Sequence, residues 1–170
     1  MPQPHKTRFI VIHCSAGFGN VESIQKFWKE QLGWKSPGYH RIIDREGNVY
    51  ELADYTEITN GVKGFNDESI HICYIGGVDP NNVKKAQDTR TEIQKLQLLH
   101  EIVKAKKWIH ENYGDIYNVL ILGHRDFSRD LNANNIIEPW ERIKECPSFE
   151  ARFEYTFLNP QQITAKLPKK

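Results

Sequence analysis

Arg8-Phe-Ile-Val-Ile-His13, followed at once by Cys14-Ser15, is the stretch from which the fold can be read. Its apolar, β-branched run is strand-like and ends on residues with chemistry: an imidazole, a thiol and a hydroxyl. Outward from it, Val21 to Gln31 has helical spacing, with Ile24, Phe27, Trp28 and Leu32 on one stripe and Gly33 placed to end it. Tyr39 to Asp44 and Asn48 to Leu52 read as two strands. Arg45-Glu-Gly-Asn48 is the turn between them, because glycine allows the positive φ such turns need. Ser69 to Ile75 alternates and stops at Gly76-Gly77. Residues 78 to 90 are polar and read as a loop. Thr91 to Asn112 is the strongest helix, with Ile93, Leu96, Leu99, Ile102, Val103 and Ile109 in register and Thr89 to Glu92 resembling a capping box. Val119 to Leu122 is a buried-type strand halted by Gly123, Asp126 to Asn135 a polar loop, and Phe149 to Phe157 a last helix. Strands alternating with helices predict one α/β domain over 1–170, a central mixed sheet flanked by helices. Its core is expected at about 8–157, with 1–7 and 160–170 as terminal extensions.

Composition bounds the function classes. The chain has 170 residues, room for one domain with a sizeable core. A net charge of +1 gives no bulk electrostatic case for nucleic acid. No apolar run approaches the ~20 residues of a spanning helix, so no membrane partner is expected. The first eight residues lack the apolar centre of a signal peptide, so the protein is expected to be made in the cytoplasm and delivered to wherever it acts. Three widely spaced cysteines, Cys14, Cys73 and Cys146, argue against a disulfide framework. They leave buried thiols, a metal ligand, or both.

His13 closes the first strand and His124 follows another, in Gly123-His-Arg-Asp126; strand ends are where α/β sheets build sites. Cys146 lies in Lys144-Glu-Cys-Pro-Ser-Phe149. Two imidazoles and a thiolate suit zinc, with the fourth position left for water. Singly, each has a plainer reading: a strand-end histidine held by hydrogen bonds, or a cysteine packed as a small hydrophobe. His40 should face away from Tyr39, and Cys14 away from His13. His71 and Cys73 share one strand face, as core packing or as a second metal pair.

Taken in order, Val11-Ile-His-Cys-Ser15, Gly38-Tyr-His40, Gly64-Phe-Asn66, Gly123-His-Arg-Asp126 and Lys144-Glu-Cys-Pro-Ser-Phe149 resemble the type 2 N-acetylmuramoyl-L-alanine amidases. That family includes T7 lysozyme-like enzymes and the peptidoglycan recognition proteins. The resemblance covers about residues 8 to 150. It implies a zinc-dependent amidase acting on peptidoglycan, with zinc held by His13, His124 and Cys146 at the floor of a surface groove. It implies catalytic roles for Tyr39 and Lys144, and groove positions for Trp34, Phe65 and Asn66. A monomeric phage or prophage endolysin is the expected role. A non-catalytic recognition module, a partner-binding protein on the same scaffold, and a cytoplasmic amidase recycling anhydro-muropeptides are the alternatives.

The stretch between the second histidine and the cysteine is longer than in the family's short members. In Asp130-Leu-Asn-Ala-Asn-Asn-Ile-Ile-Glu-Pro-Trp-Glu141, oxygen donors stand at the spacing of a calcium loop: Asp130, Asn132, Asn134, the Ile136 carbonyl, Glu138 and Glu141. Asn135 replaces the usual glycine at the sixth position. Two readings stand, a solvated asparagine-rich loop and a loop ordered by structural Ca2+.

Overall fold

The strand that opens the chain becomes the interior of a sheet. The structure, a computed structural model, describes residues 7–114 and 118–169. In it β1 (Phe9–Cys14) is buried at every position and lies parallel to both its neighbours, β4 (Ser69–Tyr74) and β7 (Leu120–Gly123). A strand covered on both faces is stabilised by apolar side chains at successive positions, which Phe9-Ile-Val-Ile12 supplies. β2 (Arg41–Ile43) runs parallel to β4, and β3 (Val49–Glu51) closes the edge antiparallel to β2. The order β3-β2-β4-β1-β7 makes a five-stranded mixed sheet among the described residues. In the β2–β3 turn, Asp44 accepts the Glu46 and Asn48 N–H groups, and Gly47 takes φ 87°.

Alternation sorts the sheet into two faces. Ile10, Ile12, Ile43, Ile70 and Ile72 meet Leu98, Ile102, Ala105 and Ile109 of α2 (Glu92–Tyr113). Burying one such aliphatic side chain contributes roughly 1.5–3 kcal/mol, so this seam carries much of the fold. On the opposite face Phe9 and Val11 pack with Val62, Phe65 and Leu122, while Ile42 and Cys73 meet Val21 and Trp28 of α1 (Val21–Glu30). His13 and His71 belong to this second face by parity with Val11 and Cys73.

Several sequence expectations need correction. The α2 stripe is rotated: Ile93, Leu96 and Val103 are exposed, and Gln94 and Glu101 are buried instead. Gln94 Nε2 donates to the Ile75 carbonyl at 2.9 Å, and Glu101 pairs with buried Arg41 at 3.5 Å. Polar groups hold this face because Arg41 of β2 and the Ile75 carbonyl just past β4 offer them partners, which hydrophobic periodicity does not register. The capping box of α2 is Thr91 with Gln94, two residues further on than expected. On α1, Trp28 is buried but Phe27 and Leu32 are exposed. Residues 78–90 hold a hairpin, β5 (Val78–Asp79) and β6 (Asn82–Ala86), turned at Pro80-Asn81. The last α-helix, α3 (Ala151–Glu154), is a single turn. Residues 160–167 are part of the body rather than an extension. Gln162 and Leu167 are buried, and Arg152 donates to the carbonyls of Gln162, Ile163 and Ala165. The expected extension at 1–7 lies outside the described residues, except for buried Thr7. No described helix is long and apolar enough to cross a membrane.

Candidate metal centre and groove

Three separate segments deliver the candidate ligands to one point. His13 is the penultimate residue of β1 and is fully buried. His124 starts a 3-10 turn, His124–Phe127, directly after β7. Asp126 makes that turn by accepting the Gly123 N–H at 2.8 Å. Cys146 arrives on the long connection, pinned by its carbonyl to the Arg125 N–H at 2.8 Å. The next residue is pinned too, since the Tyr74 hydroxyl donates to the Pro147 carbonyl at 2.6 Å.

Donor atoms of His13, His124 and Cys146 lie within 4.8 Å of one another, and no other such set of His, Cys, Asp or Glu occurs among the described residues. Sγ of Cys146 is 3.8 Å from Nδ1 of His13. Nitrogen and sulfur ligands about 2.0 and 2.3 Å from a tetrahedral zinc stand about 3.6 Å apart, so the spacing fits that ion. The protonation chemistry fits too. Burial pushes the His13 pKa well down, and burial with the nearby Lys144 ammonium lowers His124 to about 4. Both rings are therefore neutral and carry a lone pair at pH 7. The Cys14 backbone N–H points at Sγ of Cys146 from 3.2 Å, a contact that favours a thiolate. In the metal-free chain burial pushes the Cys146 thiol up, and its hydrogen bond with Cys14 draws Cys14 down to about 7. A bound cation reverses that order, since a coordinating thiol is deprotonated outright.

Around these residues runs a groove of about 500 Å³. Tyr39, Trp34 and Phe65 line it, as do Lys63, Phe127, Ile143 and Lys144. Tyr39 is set by what lies behind it. A Cβ at Gly38 would sit 2.8 Å from the Trp28 indole, so only glycine lets the chain pass there. Tyr39 then packs edge-on to Trp28, with its ring 4.7 Å from that of His13. Burial raises its pKa well above 10, so it remains a phenol with a proton to donate. Lys144 also lines the groove and is exposed.

Two expected placements change. Asn66 does not line the groove. Its oxygen turns inward, 3.0 Å from Nε2 of His71, while accepting the Val62 N–H at 2.7 Å. His71 in turn lies 2.9 Å from Nε2 of His13. The sequence reads His71 as core packing or half of a second metal pair with Cys73, yet strand parity is a usable signal, because it puts His71 and His13 on one face of adjacent strands. The calcium expectation finds no support. Glu141 accepts the N–H groups of Leu131 and Glu138, Asp130 accepts that of Asn135, and Asn132 and Asn134 turn their amide nitrogens to Glu138. Most of the oxygens read as cation ligands are engaged in folding the loop itself, while Oδ1 of Asp130 is buried without a hydrogen-bond partner.

A mixed sheet between helices, with two imidazoles and a thiol meeting at the floor of a groove, defines a candidate metallohydrolase. The family model for N-acetylmuramoyl-L-alanine amidase matches residues 3–148, and the chain belongs to that family. The endolysin of Escherichia phage T7 is 36% identical over 154 residues, covering 88% of this chain and 86% of its own. That of Enterobacteria phage K11 is 32% identical over 149 residues, covering 85% and 83%. Bumblebee PGRP-SA has a similar fold, with TM-score 0.63 at 17% identity, covering 89% of this chain and 81% of that one. Family membership and these endolysin relatives support a peptidoglycan amidase.

Proposed function

We propose that this protein is a zinc-dependent endolysin that hydrolyses the amide bond between N-acetylmuramic acid and L-alanine in peptidoglycan. The observation that carries the reading is the convergence of His13, His124 and Cys146 beneath a groove walled by Tyr39 and Lys144. Bound zinc would supply a Lewis acid and a water acidified to a pKa of about 7. The chain's own residues do the rest. His13 and His124 offer neutral lone pairs, and Cys146 offers a thiolate steadied by the Cys14 N–H. Tyr39 donates its phenolic hydrogen to the carbonyl oxygen as negative charge grows there. Lys144 Nζ delivers a proton to the nitrogen that leaves when the C–N bond breaks. Trp34 and Phe65 give sugar and peptide apolar surfaces to lie on. As a wall-degrading enzyme of this kind, the protein works as a monomer after release or delivery to the wall.

Mass analysis of digested peptidoglycan tests the reading. The expected products are stem peptides with a new free N-terminal alanine and intact glycan strands, with activity lost to a chelator and restored by zinc. New reducing sugar ends would refute it. Sacculi bound but uncut by zinc-loaded protein would point to a recognition module.

A further inference from the structure

The sheet face that carries His13 also carries a line of buried polar groups that the proposed reaction does not use. The Val62 backbone N–H donates to Oδ1 of Asn66 at 2.7 Å. A backbone amide can only donate, so the Asn66 amide is fixed with its oxygen on this side. That same oxygen lies 3.0 Å from Nε2 of His71 and needs a donor there. A neutral imidazole has one N–H, so Nδ1 of His71 is left as an acceptor. Nε2 of His13 stands 2.9 Å from it and must be the donor. Nδ1 of His13 then keeps its lone pair, on the side where Sγ of Cys146 lies.

The other contacts of His71 agree with a ring held in one pose. Its backbone N–H donates to Nδ1 of His40 at 3.0 Å, and Nε2 of His40 donates to the Glu57 carbonyl at 2.8 Å. The His71 ring lies so close over Gly61 that a Cβ there would sit 2.3 Å from its Nδ1. Both His71 and His13 are fully buried, so no water competes for these bonds.

We propose that Val62, Asn66 and His71 form a relay that sets the tautomer and orientation of His13, with Asn66 and His71 as positioning residues for the metal centre. The inference rests on the zinc reading above. Partners behind a ligating histidine typically shift metal affinity by 10–100-fold. His71→Leu and Asn66→Leu are therefore expected to weaken zinc binding by roughly 10–100-fold. His71→Asn, which returns an amide oxygen near the position of Nδ1, should stay within a few-fold of wild type.

The test uses the full chain in two measurements. Long-range 1H–15N correlation spectra of metal-free, 15N-histidine-labelled protein locate the imidazole protons. Competition with a chromophoric chelator then gives zinc affinities for wild type and the three variants, with circular dichroism checking the fold. The relay requires protons on Nε2 of both His13 and His71, and the affinity order just given. A proton on Nδ1 of His13, or wild-type affinity in His71→Leu and Asn66→Leu, would overturn it. Should His71→Leu fail to fold, Asn66→Leu decides. Expected tautomers in a wild-type chain that takes up no zinc would sink the proposed function and leave the relay standing.

Discussion

The candidate site has two halves built in opposite ways. One half is strand-made: His13, His71 and His40 are fully buried on the central sheet, and their ring nitrogens are hydrogen-bonded. The other half hangs on the connection after His124. There Ile143 and Lys144 are exposed, and the segment is held by Arg125 and Arg142 pairing with Glu145 and Glu150. The first half fixes an imidazole without latitude. The second presents a cation to solvent, on a segment tethered mainly by charge and by the backbone around Cys146. A hydrolase needs both, a fixed metal and a donor free to meet the substrate.

The harshest break falls where the halves meet. His13→Ala and Cys146→Ser each remove one of the three proposed ligands, and each should abolish stoichiometric zinc binding and reduce sacculus clearing to background. Equilibrium dialysis with zinc checks the first and turbidity the second. Clearing by zinc-free Cys146→Ser would mean that the thiol has no part in the chemistry.

Next come the two walls. Lys144→Ala should lower kcat by about 10²–10³-fold while zinc affinity stays near wild type, because in the proposed reaction the ammonium acts on the substrate and not on the metal. Tyr39→Phe should cost about 10²-fold for loss of one donor. If Lys144→Ala changes only KM, the lysine holds substrate and gives the transition state nothing extra.

The same division explains what was legible in the sequence. The strand half was plain, because Phe9-Ile-Val-Ile12 and Val119 to Leu122 are patterns that mean buried strand whatever surrounds them. The candidate ligands can be named because the segments around them resemble a family; spacing alone does not join His13 to Cys146. What stayed hidden depends on tertiary partners. Gln94 and Glu101 turn to the core because Ile75 and Arg41 await them, so the apolar stripe of α2 pointed the wrong way. The Gly64-Phe-Asn66 motif points Asn66 to the groove, but its oxygen is drawn inward to His71. The oxygens of 130–141 have the spacing of a cation loop, but backbone N–H groups and asparagine amides meet most of them, and no one-dimensional pattern distinguishes the two.

Acid should attack the strand half of the metal-free protein. Burial lowers His40 from 6.5 to about 4, and His71 moves in the same direction. A histidine whose folded pKa is depressed stabilises the fold above its unfolded pKa and loses that contribution as pH falls toward the folded value. The buried histidines' contribution to the stability of the zinc-free chain should thus be level above pH 6.5 and decline between about 6.5 and 4, by on the order of 3 kcal/mol from His40 alone. Urea unfolding across that range checks it. His40→Gln should flatten part of the decline, and an unchanged slope would mean that His40 is not the group responsible.

The smallest effect belongs to the charged half. Glu150 is half exposed yet meets both Arg125 at 2.5 Å and Arg142 at 2.8 Å. Exposed ion pairs contribute little, because solvent screens them and ordering two side chains costs entropy. The Arg125 guanidinium is nearly buried, however, so removing its partner's charge is felt more than at a free surface. Glu150→Gln should cost about 1 kcal/mol at low salt and less at high salt, since screening weakens what the substitution removes. Zinc affinity should hold, because Cys146 is tied to Arg125 through the backbone and not through the guanidinium. A salt-independent loss well above that size would place Arg125 with the buried, wired groups of the strand half and move the boundary between the two halves to the far side of His124.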